Sequence, residues 1–173
     1  MQALSVAIFL ILSACGGTQK STNQQELDDR AELLAQYQPM TGVYEGIVKS
    51  VETSMEDFPI QVKLFIVDEA NGYNEKGEVK MRPALRGYFT RLDMREDASD
   101  KELLVRYYVS TGEITMTTQS NQGRGGASMQ AVNGPSEEKM LSLQGKYSEG
   151  QISGSIKAYN GELGTFILQR KQN

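Results

Sequence analysis

The chain has 173 residues, a formal net charge of −4, a single cysteine, and neither histidine nor tryptophan. This inventory excludes intramolecular disulfides, the usual zinc ligand sets, and the Ser-His-Asp and Cys-His nucleophile arrangements. Because the charge is weakly acidic and both signs are interspersed, the chain lacks the basic surface of nucleic-acid-binding proteins, and we predict no nucleic-acid partner.

The N-terminal segment combines a short apolar run with the only cysteine. Ala3 to Leu12 is almost uninterrupted in apolar residues. At about ten residues it is too short for the roughly 20 that a helix needs to cross a bilayer, but it is typical of a signal-peptide core. The residues Leu12-Ser13-Ala14-Cys15 follow directly. We predict a signal peptide over residues 1–14.

Leu12-Ser13-Ala14-Cys15 resembles the lipobox of bacterial lipoproteins, in which the cysteine is lipidated and becomes the first residue of the mature protein. The resemblance implies that Cys15 carries a thioether-linked diacylglycerol and, in many bacteria, a third chain on its amino group. Two or three long acyl chains hold a protein on a membrane permanently, whereas one chain binds only marginally. Since Gly16 rather than aspartate follows the cysteine, the resemblance implies the outer membrane, facing the periplasm.

A tether and one helix are predicted next. Residues 15–25 contain the lipidated cysteine and a polar, glycine-led stretch without large apolar residues, which is typical of a flexible tether. Leu27, Ala31 and Leu34 then recur at helical spacing, and Pro39 ends the run, so we predict a short amphipathic helix over residues 26–38. This helix either covers one open end of the following domain or presents a surface to a partner or to the membrane.

From Met40 onward the apolar residues recur with period two, which is typical of half-buried strands. Pro59 to Val67 is the clearest case, with Ile60, Val62 and Leu64 on one face. The same pattern predicts eight or nine strands: Thr41 to Ser50, Pro59 to Val67, Lys80 to Asp93, Glu102 to Ser110, Glu113 to Gln119, Ala127 to Val132, Lys139 to Tyr147, Gln151 to Tyr159 and Leu163 to Arg170.

Turn signals separate these strands, and the Asn-Gly pair before the last strand is typical of a type I′ hairpin. Consecutive strands with short connections predict an antiparallel meander, because parallel strands need crossover segments for which the chain has no room. We predict an all-β domain over residues 40–173: a closed barrel of about eight strands, or alternatively a two-sheet β-sandwich. The predicted turns are Asn71-Gly72 with Asn74 and Gly77, Ser110-Thr111-Gly112, Asn133-Gly134-Pro135, Glu149-Gly150 and Asn160-Gly161.

The first and last strands carry a second resemblance. Thr41-Gly42-Val43-Tyr44-Glu45-Gly46 resembles the Gly-x-Trp start of lipocalin-like barrels, with Tyr44 in the tryptophan position. Arg170 resembles the arginine that those barrels pack beneath that ring. Such barrels hold a small ligand inside, so the resemblance implies a ligand site in the barrel interior.

The inward face decides whether such a site exists. Ile152, Gly154, Ile156 and Ala158 either leave a cavity for a small hydrophobic molecule or form the taper of a filled core. Tyr107 and Tyr108 point to opposite faces, so one of them lies outside or at an opening. The candidate ligand-binding residues are therefore Tyr44, Tyr107, Tyr108 and Arg170.

Other polar clusters are interpreted as loops without chemistry. One acidic loop spans residues 93–100 and another spans 68–75, and neither has the regular spacing of a calcium-binding loop. The glycine-rich residues 121–126 lack the lysine and the strand-to-helix context of a P-loop. We predict no metal, no cofactor and no catalytic residue; a paired-carboxylate hydrolase is the enzymatic alternative, because carboxylates are plentiful.

The sequence therefore predicts a non-enzymatic, lipid-anchored envelope protein that binds a protein partner or supports envelope organisation. The alternative is a lipocalin-like carrier of a small hydrophobic ligand. An open apolar interior of several hundred cubic ångströms would favour the carrier, and a filled interior with an apolar exterior patch would favour the protein partner.

Overall fold

A computed structural model of the protein describes residues 22–53, 55–74, 76–94, 100–118, 140–158 and 161–172. Eight antiparallel strands form a closed barrel in which neighbours in sequence are neighbours in space. The first strand also pairs with the last, and this pairing closes the sheet. The predicted meander barrel is confirmed, and the single closed sheet replaces the two-sheet sandwich.

Two helical segments precede the barrel: α1 (Thr22–Tyr37) and a 3-10 helix (Gln38–Met40). None of the described helices combines the length and the apolar character needed to cross a bilayer. The strands are β1 (Gly42–Ser50), β2 (Phe58–Tyr73), β3 (Val79–Arg91), β4 (Lys101–Tyr108), β5 (Glu113–Thr118), β6 (Ser142–Ser148), β7 (Gln151–Ala158) and β8 (Gly161–Arg170).

Several predictions fall outside the described residues. These are the signal peptide, Cys15, the glycine-rich residues 121–126, the predicted strand Ala127 to Val132, the turn Asn133-Gly134-Pro135, and Asn160.

Helix α1 begins at Thr22, four residues before the predicted start at Glu26. Residues 22–25 therefore belong to the helix and not to the tether. Glutamine is a good helix former, and Gln24 donates a hydrogen bond to Asp28 one turn later, at 3.1 Å. The segment has no apolar residue, so hydrophobic periodicity could not reveal this first turn.

The β2–β3 hairpin is longer than predicted, because β2 continues to Tyr73. The prediction that Asn71 and Gly72 belong to the turn is wrong: these residues lie at a register shift within the strand, with Gly72 at φ 79°. The other predicted turn residues of this connection, Asn74 and Gly77, do lie at the reversal. The chain reverses at residues 74–78, where the Asn74 N–H donates to the Glu78 carbonyl at 2.9 Å. The hairpin projects beyond its neighbours, since β1 begins opposite Leu64.

The β6–β7 connection confirms a predicted turn. Ser148 pairs with Gln151, which leaves Glu149 and Gly150 as a two-residue loop. Their φ angles are 47° and 83°, and two positive φ values in a two-residue loop are the signature of a type I′ hairpin.

The barrel interior contains one continuous cluster of apolar side chains, and none of its members is more than 4 % exposed. An eight-stranded barrel has an interior just wide enough for side chains to fill. Ile152 and Ile156 belong to the cluster, which supports the filled-core interpretation of β7. The cluster consists of Met40, Tyr44, Val48, Phe58, Ile60, Val62, Leu64, Leu85, Phe89, Leu103, Ile114, Met116, Leu143, Ile152, Ile156, Phe166 and Leu168.

Strands β6 and β7 approach each other closely at a pair of opposed glycines, Gly145 and Gly154. A Cβ added to Gly154 would lie 2.0 Å from the carbonyl oxygen of Gln144, and one added to Gly145 would lie 2.2 Å from that of Ser153. Both contacts are with backbone atoms, which cannot rotate away. Only glycine therefore fits at these positions in the present barrel wall.

Candidate functional site

Two of the predicted ligand-site residues, Tyr44 and Arg170, lie directly opposite each other on β1 and β8. Tyr44 is fully buried, and its hydroxyl donates to the Met40 carbonyl at 2.8 Å. Arg170 donates to the Pro39 carbonyl at 3.3 Å and to the Thr41 carbonyl. Both side chains therefore fix the segment that crosses this end of the barrel, where Met40 enters the core.

Two further tyrosines complete this end. Tyr147 donates its hydroxyl hydrogen to the Pro39 carbonyl at 2.7 Å. Tyr107 meets the Tyr147 ring edge to face, with centroids 6.3 Å apart and planes at 89°. Tyr108 lies on the outer wall and is about half exposed. Three of the four predicted residues thus lie at one end of the barrel, and their role as ligand contacts stays a prediction.

The sequence interpretation missed Tyr147. The pattern that could have revealed it is the alternation of β6, which places Tyr147 on the inward face, close to the end of the barrel at the Glu149-Gly150 turn. Burial raises the pKa of the Tyr44 hydroxyl, the nearby Tyr147 raises it further, and Arg170 acts in the opposite direction. Tyr44 is therefore a neutral hydrogen-bond donor at physiological pH.

A separate groove of about 870 Å³ lies outside the barrel, between α1 and the projecting β2–β3 hairpin. Its volume is in the usual range of roughly 300–1,000 Å³ for ligand pockets. Leu33 lines the helix wall, and Val79, Met81 and Pro83 line the strand wall. We call this feature the α1–β3 groove.

Two ion pairs hold α1 against the hairpin. Arg30 donates two hydrogen bonds to the Asp68 carboxylate, at 2.8 and 3.0 Å, and Lys80 pairs with Glu26. The Arg30 guanidinium lowers the pKa of Asp68. These pairs join residues far apart in sequence, so the pattern of the helix alone could not reveal the groove.

The Arg30–Asp68 pair leads to a prediction for acid pH. Because Asp68 has a lowered pKa when folded, its stabilising effect is present above the unfolded pKa of about 3.9 and is lost as pH falls through the folded value. We expect Asp68→Asn to lower the melting temperature at neutral pH, and the difference from wild type to shrink progressively as pH falls below about 3.9.

Thermal melts across this pH range test the prediction. Glu102→Gln is the matched control, because Glu102 has no ion-pair partner in the described part of the chain. A difference for Asp68→Asn that persists unchanged at pH 3 would show that the carboxylate charge does not hold α1.

Strand β3 has an open edge along the groove. Its pairing with β4 ends at Arg86 and Leu104, although β3 continues back to Val79. The Leu92 N–H, just after β3, donates to the Pro59 carbonyl on β2, so the backbone groups of this even-numbered residue face β2. The backbone N–H and C=O groups of successive residues point alternately to the two sides of a strand. Odd-numbered residues of β3 therefore direct their backbone groups away from β2, so Met81 presents its N–H and C=O to the open side.

Two exposed apolar side chains line the same groove. Val79 and Met81 lie on one face of β3 and are each more than half exposed, and Tyr73, the cross-strand partner of Val79, is exposed beside them. Apart from Leu33 and Pro83, the other residues that line the groove are polar or charged. Clustered exposed apolar residues mark interaction surfaces more often than single ones do.

Of the two predicted acidic loops, residues 68–73 belong to strand β2, which corrects that prediction, and residues 93 and 100 of the other show local pairing. Asp93 accepts two hydrogen bonds from Arg91, at 2.7 and 2.8 Å, and the Arg91 guanidinium lies 4.0 Å from the centroid of the Phe58 ring. Asp100 accepts from the Thr90 hydroxyl at 2.5 Å. Within the described residues no three carboxylates are grouped as metal ligands.

No protein-family model matches the chain, and no curated protein matches it. The geometry of the barrel and of the α1–β3 groove therefore carries the argument about function.

Proposed function

We propose that the chain is a lipid-anchored, non-enzymatic protein of the bacterial envelope whose β-barrel binds a protein partner on its outer surface. One observation carries this proposal: the barrel interior is occupied by packed apolar side chains, while the lining of the α1–β3 groove outside includes the exposed apolar side chains Val79 and Met81.

The interior supports external binding over internal binding. A carrier needs an open cavity of several hundred cubic ångströms for its ligand. The inward side chains of the barrel form one buried cluster instead, and Met40 enters it from the end that Tyr44 and Arg170 close. The alternative function is that of a lipocalin-like carrier, which has the same closed-barrel architecture. A ligand inside this barrel would have to displace the buried cluster.

The exterior offers exposed apolar side chains at two places. The first is the β3 wall of the α1–β3 groove, where Val79 and Met81 lie beside Tyr73, the cross-strand partner of Val79. The second is the cross-strand pair Ile47 and Ile167 on the outer wall of β1 and β8, each at least half exposed. Aromatic residues and methionine are enriched at protein interfaces, which favours the groove as the primary surface.

The anchor supports a partner near the membrane. The residues from Gly16 to Thr22 separate Cys15 from the start of α1, and even fully extended they span at most about 25 Å. The groove lies along α1 from Glu26 to Gln36, and it begins one turn after the start of the helix. A partner in the groove would therefore be bound close to the outer membrane.

Anchoring is tested by Cys15→Ser. We expect the wild-type protein in the membrane fraction, with a mass increased by acyl chains, and the variant without this added mass. A wild-type mass without acyl chains would contradict the anchor.

Partner binding is tested by placing a photo-cross-linking amino acid at Met81 and, separately, at Ile167 in living cells. We expect discrete cross-linked protein products from the Met81 position, because that side chain lines the groove and is exposed. The Thr115 position on the outer wall of β5 is the control. The absence of products from both Met81 and Ile167 would contradict the proposal.

A further inference from the structure

We propose that the α1–β3 groove binds an extended segment of a partner protein as an added β-strand along Val79 to Pro83, with a basic side chain of that segment opposite Asp29. This inference rests on the proposed function, since it names the site and the conformation of the bound partner.

The backbone of β3 indicates a strand as the occupant. Met81 directs its N–H and C=O toward the groove, where β4 has ended. No described side chain bonds to these groups, and the backbone groups of a helix such as α1 are used within the helix. An extended peptide supplies alternating donors and acceptors along such an edge, which is the basis of β-strand addition.

The side chains around this edge fit an alternating peptide. Val79, Met81 and Pro83 share one face of β3, and Leu33 faces them from α1. A strand paired along the edge would place every second side chain among these apolar groups. Its intervening side chains would point to the polar rim of the groove.

The charges on the helix wall of the groove indicate a basic residue on the partner, because the lining cation without an ion pair in the described part of the chain, Arg82, lies on the strand wall. Glu26 is neutralised by Lys80, and Arg30 by Asp68. Asp29 has no ion-pair partner in the described part of the chain. Glu32 accepts only an amide hydrogen bond from Gln36, at 3.1 Å. The helix wall therefore keeps two uncompensated carboxylates, which a lysine or arginine would complement.

A second copy of the chain fits this edge less well. Pro83 has no N–H, so two identical edges would each lack one donor. Each copy would also bring its own acidic helix wall to the contact, and like charges in contact are unfavourable. A partner segment of different sequence brings neither a second proline nor a second acidic helix wall to the contact.

The probe is a short synthetic peptide in which valine alternates with lysine, added to the full-length protein in detergent. We expect it to slow hydrogen exchange of the Met81 amide and to bind in a fluorescence anisotropy titration. The same peptide with alternate backbone nitrogens methylated is expected to bind about tenfold more weakly, because one lost hydrogen bond is worth up to about a factor of ten. This control leaves the protein unchanged.

The matched protein variants are Met81→Pro and Met81→Ala. Met81→Pro removes the exposed N–H and keeps the ladder to β2, since the Met81 backbone faces away from that strand. We expect about tenfold weaker binding for Met81→Pro than for Met81→Ala. Asp29→Lys is the second test and leaves β3 unchanged. We expect this variant to bind the lysine peptide more weakly than wild type does, without weakening the binding of a peptide with glutamate in place of lysine.

The outcomes separate this inference from the proposed function. Suppose that the peptide does not slow hydrogen exchange of the Met81 amide and that cross-linked products appear only at Ile167. This result would overturn the groove as the binding site and leave the proposed partner binding intact. Equal loss in Met81→Pro and Met81→Ala would overturn strand addition. Self-association that Met81→Pro abolishes would identify a second copy as the occupant, again against the proposal. The absence of cross-links at both positions would overturn the proposed function itself.

Discussion

Gly154→Ala is expected to destabilise the barrel by roughly 2–3 kcal/mol, the range of a core position that must accept an extra methyl group. The added Cβ would lie 2.0 Å from the Gln144 carbonyl oxygen, far inside van der Waals contact, and 2.5 Å from the Cα of Gly145. The strands β6 and β7 would have to separate, which would strain the ladder between them.

Urea unfolding of Gly154→Ala and of Ser155→Ala tests this expectation. Ser155 is the next residue on β7 and points its side chain to the other face of the sheet, so its truncation should change the free energy of unfolding by less than about 0.5 kcal/mol. Equal stability of the two variants would show that β6 and β7 do not approach closely at the glycine pair.

Tyr44→Ala is expected to cost about 3–5 kcal/mol, as for other large buried aromatic residues replaced by alanine. Tyr44 is fully buried and anchors the 3-10 segment through the Met40 carbonyl. Tyr44→Phe keeps the ring and removes only this donor, so it should cost about 1–2 kcal/mol through the unsatisfied carbonyl.

Tyr108→Ala is the matched control, because Tyr108 is an exposed tyrosine of the same barrel and should change stability by less than about 0.5 kcal/mol. Chemical denaturation of the three variants gives the free energies. If Tyr44→Ala were as stable as Tyr108→Ala, the end of the barrel would be open and the argument for a filled interior would fail.

The buried Tyr44 hydroxyl also makes the difference in unfolding free energy between wild type and Tyr44→Phe depend on pH. Since the pKa of Tyr44 is raised in the folded state, its contribution is fully present below the unfolded pKa of about 10 and is lost as pH rises further. Tyr44→Phe should therefore lose less stability than wild type above pH ~10.

The barrel was predictable because its signals are local. The alternation in β2 fixes which side chains point inward, and the Glu149-Gly150 loop fixes the pairing of β6 with β7. The prediction that placed Tyr44 near Arg170 came from resemblance, and the register of β1 and β8 makes them direct partners.

Features that depend on long-range contacts were missed. The Asn71-Gly72 pair has good turn chemistry, but Asn74 and Gly77 follow it closely, and pairing across the hairpin selects the later reversal. The α1–β3 groove depends on Arg30 meeting Asp68 across 38 residues of sequence. No local pattern contains that contact.

In the proposed function the barrel is a scaffold for the external groove. The closed sheet fixes the base of the β2–β3 hairpin, and α1 lies against its projecting part. With the predicted anchor at Cys15, a partner near the membrane would bind this groove and not the barrel interior.

Native mass spectrometry of the full-length protein, extracted from cells in mild detergent and compared with its denatured mass, distinguishes a barrel filled by its own side chains from one that holds a ligand. Covalent acyl chains on Cys15 appear in both spectra, whereas a molecule held inside the barrel appears only in the native one. Because packed side chains fill the barrel interior, we expect the native spectrum to contain no small molecule that the denatured spectrum lacks. A hydrophobic small molecule that is retained natively and lost on denaturation would contradict the filled interior and establish the carrier.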